Sequence, residues 1–94
     1  MMLRVAVGDV VRELRTERGW TLRQLSAKSN VSIGYLSEVE RGVKEMSSQV
    51  IQSVADGLGV QLAEIVVEAG FRLGGYDYDK LFAEFLENND LVSH

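Results

Sequence analysis

The side chains of this chain offer little covalent chemistry and much polar recognition. There is no cysteine, and the single histidine, His94, is the last residue of the 94. A thiolate metal site, a disulfide framework and histidine-based catalysis therefore have nothing to build on. What remains is charge and hydrogen bonding. The stretch SIGYLSEVERG, Ser32 to Gly42, sets Leu36 and Val39 on one side and Ile33, Gly34, Tyr35, Ser37, Glu38 and Arg41 on the other. The second set could be a wet surface, or a face held out to hydrogen-bond a partner. The net charge of −4 is unevenly spread. Residues 1–44 hold eight Lys/Arg against five Asp/Glu, a balance of +3, and residues 45–94 hold two against nine, a balance of −7. Such a split suggests one side facing a polyanion and another kept away from it, or a chance division of a solvated surface.

The elements that must position these residues are helical. The chain has no proline, so glycines and N-caps punctuate it. In GDVVRELRTERG the stripe Val7, Val10, Val11 and Leu14 predicts a first helix from about Gly8 to Arg18, ended by Gly19. Thr21 with Gln24 three residues later forms a capping box that opens a second helix. There Leu22 and Leu25 face inward with Ala27 near them, and Arg23 and Lys28 point out. Asn30 tolerates the left-handed turn into a third helix, which Ser32 caps and Gly42 ends. A fourth starts at Ser47 or Ser48 with the stripe Val50, Ile51, Val54, Ala55 and Leu58, and ends at Gly59. A fifth short helix, QLAEIVVEAG, turns Leu62, Ile65 and Val66 inward, with Gly70 after it. Gly74-Gly75 is the only glycine pair and reads as a hinge. Beyond it, DYDKLFAEFLENN is helical again, with Leu81, Phe82, Phe85 and Leu86 on one face. No apolar run approaches a membrane span, and the first residues are too soon interrupted for a signal peptide, so a reducing cytoplasm is expected.

Two short helices joined by a tight turn make a helix-turn-helix unit, whose second helix fits the DNA major groove. The run GWTLRQLSAKSNVSIGYLSEVERG resembles the helix-turn-helix of the Cro/repressor type, the XRE family, over roughly residues 7–69. More narrowly, GDVVRELRTERGWTLRQLS, SIGYLSEVERGVKEMSS and VADGLGV resemble the actinobacterial Clp-protease gene regulators. The resemblance implies an all-α fold: a compact five-helix Cro/repressor-like domain over residues 1–73, then a hinge and a C-terminal dimerisation helix over residues 74–94. It implies base-reading side chains at Ser32, Ile33, Gly34, Tyr35, Ser37 and Glu38, and phosphate contacts at Thr21, Arg23, Arg41 and Lys44. Lys28 is added on its charge. Glu40 is expected to pair with Arg12 or Arg15. Many members carry glutamine where this chain has Leu22, so that contact is lost or has moved to Arg23.

Several of these positions have a second explanation. Gly34 inside a helix costs ~0.5–1 kcal/mol against alanine. That is accounted for either by close approach of the backbone to the groove floor or by a neighbouring helix that excludes any larger residue. Ile33 meets a thymine methyl or packs on the second helix. Tyr35 contacts a phosphate or sugar, or covers the core edge. Glu38 accepts from cytosine, or pairs with Arg41 or Lys28. Trp20 belongs to the core edge after the first helix. Leu81, Phe82, Phe85 and Leu86 meet their copy across a two-fold axis or fold back on their own domain. The expected function is a non-enzymatic, sequence-specific regulator that binds pseudo-palindromic duplex DNA as a homodimer. The narrower resemblance implies activation of Clp protease genes, with RNA polymerase as a further partner; no cofactor or metal is expected. The competing function is a helix-turn-helix antitoxin that autoregulates and binds a toxin through its C-terminal segment. A metabolite-binding protein or small hydrolase is disfavoured by the lack of histidine, cysteine and a glycine-rich phosphate loop.

Overall fold

The computed structural model describes residues 2–74. Among them are five helices and no strand: α1 Leu3–Glu17, α2 Leu22–Ser29, α3 Ile33–Glu40, α4 Ser48–Leu58 and α5 Leu62–Arg72. The helices α1 and α5 pack together, α2 packs on α4, and α3 lies against α1 and α2. Leu25, Leu36, Ile65, Val11, Val39 and Val54 are the largest fully buried side chains. Burying each such side chain is worth about 1.5–3 kcal/mol, so every helix contributes an anchor.

The punctuation follows local chemistry. The Thr21 hydroxyl accepts from the Gln24 amide at 3.1 Å, and the Gln24 side chain accepts from the Thr21 amide at 2.8 Å. Ser32 caps α3 through the Tyr35 amide at 3.2 Å, and Ser47 caps α4 through the Val50 amide at 3.2 Å. Asn30 adopts φ 62°, and Gly19, Gly42 and Gly59 also take positive φ.

Three expectations are corrected. Helix α1 begins at Leu3, five residues before Gly8, without a side-chain cap; the Met2 carbonyl accepts from the Val5 and Ala6 amides. Gly8 is thus not a helix start but a contact. A Cβ there would overlap the carbonyl oxygen of Val39, so its lack of a side chain lets α1 and α3 touch backbone to backbone. Gly70 is buried within α5 and does not end it; the helix runs two residues further. Ala27 is exposed rather than inward. Its place near the core is taken by Ser29, which is buried; its hydroxyl donates to the Leu25 carbonyl at 2.7 Å and accepts from the Val31 amide at 3.3 Å, stitching the turn between α2 and α3. The expected helix carrying Leu81, Phe82, Phe85 and Leu86 lies outside the described residues.

Candidate nucleic-acid interface

Helix α3 has only eight residues, so its direction depends on what grips it. Leu36 and Val39 are buried, and Gly8 admits the Val39 backbone against α1. At its last turn Glu40 meets Arg15 in a two-pronged ion pair, Nε to Oε2 at 2.7 Å and Nη2 to Oε1 at 2.8 Å. Those side chains are only 13% and 6% exposed. The remaining Arg15 nitrogen donates to the Trp20 carbonyl at 2.7 Å, tying in the start of the turn before α2. Of the two arginines expected to meet Glu40, it is Arg15. Hydrogen bonding to Glu40 raises the Arg15 guanidinium above its ordinary value, against the opposing effect of burial.

The other face of α3 is left outward. Ser32, Ile33 and Gly34 are exposed, and Tyr35, Ser37 and Glu38 are half-exposed. Ile33 is 39% exposed, so its apolar side chain is open to a partner. A Cβ on Gly34 would meet nothing within 4 Å, which removes the explanation that a neighbouring helix excludes a larger residue there. The Ser32 hydroxyl accepts a backbone bond and keeps its own hydrogen to donate. Thr21 is in the same condition at the start of α2. Among the described residues Glu38 has no ion pair, so neither Arg41 nor Lys28 is its partner.

Cations stand on α2 and just past α3. Arg23 is exposed on the first turn of α2 and has no ion pair among the described residues. Arg41 follows α3 directly, its Nε donating to the Ser37 carbonyl at 3.3 Å. Lys44 is exposed in the loop beyond, its Nζ 5.5 Å from the centre of the Tyr35 ring. Lys28 stands 4.6 Å from the centre of the Trp20 ring, with Arg18 on the same indole at 5.8 Å. Trp20 packs against the core, as expected. Leu22 is half-buried and also packs against the core. The contribution of Arg4 escaped sequence reasoning: its Nε donates to the Gly42 carbonyl at 3.1 Å, across 38 residues, and no local pattern marks such a partner.

No single helix among the described residues is long and apolar enough to cross a membrane. An outward helix face beside exposed cations, on a body of five helices, can hydrogen-bond base edges and neutralise phosphates.

The comparisons agree with this architecture. A helix-turn-helix family model matches residues 11–65. The transcriptional regulator ClgR of Mycobacterium tuberculosis is 43% identical over 72 residues, which are 77% of this chain. The chain spans 64% of that regulator's length. The crystal structure of the clp gene regulator ClgR from C. glutamicum superposes with a TM-score of 0.75 at 43% identity, covering 81% of this chain and 99% of that one. The restriction-modification controller protein C.Esp1396I, crystallised as a tetramer in complex with its natural 35 base-pair operator, has a TM-score of 0.66 at 27% identity, covering 73% and 96% of the two chains. With the family model matched over more than half its length, this chain belongs to the XRE-type helix-turn-helix family of non-enzymatic, DNA-binding transcriptional regulators.

Proposed function

We propose that the protein binds an operator sequence-specifically, with α3 in the major groove, as a homodimer on a pseudo-palindromic site. Ser32, Ile33, Gly34, Ser37 and Glu38 meet base edges, with the Tyr35 ring flanking them. Thr21, Arg23, Arg41 and Lys44 meet backbone phosphates, with Lys28 at the margin. The observation that carries the reading is the outward first turn of α3, with open space at Gly34, on a helix whose inner side is fully occupied. The glycine lets the backbone itself approach the groove floor.

The likeness to ClgR regulators supports a finer assignment, that the protein activates genes of the Clp protease system from within the cytoplasm, in concert with RNA polymerase. Residues 1–73 form the DNA-binding domain and residues 74–94 the hinge and dimerisation segment. The test is selection of bound fragments from genomic DNA at stated salt, followed by a salt series on the recovered site. Enrichment of paired half-sites about 34 Å apart is expected. Arg23→Ala and Arg41→Ala should each weaken all duplexes alike and lower the salt slope by about 0.9. Recovery of no preferred sequence, or a shift in preference without a change of slope, would overturn these roles.

A further inference from the structure

The loop that follows the recognition helix is held in an unusual way. Val43, Lys44 and Glu45 are exposed. Beside its middle opens an apolar cleft of about 290 Å³, lined by Arg4, Val7, Val39, Lys44, Met46 and Ile51 among others. The ends are seated, Gly42 buried against Val5 and Met46 packed on the core, and the Val43 amide donates to the Glu38 carbonyl at 3.1 Å, but the side chains of Val43 to Glu45 between them are not positioned by burial. Two side-chain tethers reach the loop from outside. Arg4 holds the Gly42 carbonyl at its start, and the Tyr35 hydroxyl donates to the Glu45 carbonyl at 2.8 Å near its end. Between those anchors sits Lys44, its ammonium over the face of the same Tyr35 ring.

A phenol has one hydrogen to donate. A phosphate oxygen only accepts. With its hydrogen on Glu45, Tyr35 has none for a phosphate unless the loop is released. From this geometry we infer that Tyr35 is a positioning residue: its hydroxyl does not contact DNA but fixes the exposed middle of the loop, Lys44 and Glu45, at a set height beside the reading face. The ring and the hydroxyl act on the same target, one on the ammonium and the other on the backbone next to it. Affinity drawn from Lys44 then depends on Tyr35, because a lysine on a free loop loses conformational freedom on meeting its phosphate, whereas one on a fixed loop has already lost it.

This inference rests on the proposed DNA-binding function, and the experiment separates the two. Binding of a 24-base-pair duplex of arbitrary sequence is followed by fluorescence anisotropy across a low-salt series, for the full chain and for Tyr35→Phe, Lys44→Ala and the double variant. Lys44→Ala should weaken binding and lower the slope by about 0.9. Tyr35→Phe keeps the ring and removes one hydrogen bond, and should weaken binding about 2- to 10-fold, the range of a single net hydrogen bond. The double variant should bind no more weakly than Lys44→Ala alone. In the free protein, amide exchange of Val43 to Met46 should accelerate in Tyr35→Phe while that of α4 stays unchanged. If the two losses multiply in the double variant, or if Tyr35→Phe binds as the parent does, Tyr35 does not position Lys44 and the inference falls. If loop exchange is unaltered in Tyr35→Phe, the tether is not what fixes the loop. If the parent chain shows no salt-dependent duplex binding, the DNA-binding function itself fails and takes the inference with it.

Discussion

Gly34 joins two quantities that most helix positions keep separate. Its surroundings leave room for a methyl group, and its φ is not among the positive values. Gly34→Ala should therefore stabilise the free protein by about 0.5–1 kcal/mol, the ordinary gain from alanine in a helix. If the backbone at this point approaches bases, the same change should weaken operator binding. Thermal melting and duplex titration of one variant read both effects, and a stabilised variant that binds normally would relieve Gly34 of any role in the groove. Glu40 has the opposite character. Glu40→Ala leaves Arg15 without its partner at a site that is mostly buried, and should cost about 3–5 kcal/mol, measured by chemical unfolding. The guanidinium is raised above its ordinary value, so its share of the stabilisation is fully present through the neutral and mildly alkaline range and is lost only in strong alkali, as pH rises past that ordinary value. The difference between parent and Glu40→Ala should accordingly show no arginine-linked change between about pH 6 and pH 10.

At the scale of elements, the caps were legible and the close approaches were not. Thr21 with Gln24, Ser32, Ser47, Asn30 and Gly59 act within four residues of themselves, so their types and order declare them. Gly8 looks in sequence like a start and Gly70 like a stop, because glycine at a helix end and glycine against a neighbouring helix are the same letter. Only the neighbour distinguishes them, and the carbonyl that meets Gly8 belongs to Val39, thirty-one positions away. The outward face of α3 was legible for a related reason: once Leu36 and Val39 are assigned inward, the remainder follows from the helical period. The tethers from Arg4 to Gly42 and from Tyr35 to Glu45 end on carbonyl groups, which every residue has and no sequence pattern marks. Gly8→Ala tests the α1–α3 contact. The methyl group forces the two helices apart, with an expected loss of about 1–3 kcal/mol by chemical unfolding. Sequence preference should also blur, since the displaced element is the one proposed to read.

For the whole molecule, the charge division takes on a spatial sense. The cations of the first 44 residues include Arg23 and Lys28 near the two ends of α2 and Arg41 and Lys44 just past α3, whereas α5 carries Glu64 and Glu68, with Arg72 paired to Glu13 and Glu68. A single helix-turn-helix domain touches few base pairs, and two copies on adjacent half-sites need a joint. The face of Leu81, Phe82, Phe85 and Leu86 is proposed as that joint. Phe82→Asp with Phe85→Asp should convert a dimer into a monomer that keeps its helical spectrum and loses most operator affinity. Light scattering at tens of micromolar is the measurement, and a parent chain that is already monomeric would return the aromatic face to another use.

The backbone contact at Gly8 and the Arg15–Glu40 pair together leave α3 little freedom to tilt or slide. If it reads a groove as proposed, such a helix cannot adjust itself to a poor fit, because close-packed contacts shift in discrete steps rather than by continuous give. In the proposed homodimer, any mismatch between two such rigid helices and a straight duplex would fall to the duplex. Discrimination should then extend to base steps that no side chain reaches, with pliant pyrimidine–purine steps favoured between half-sites over stiff runs of adenine. The operator would be selected as much for how readily it bends as for what it spells.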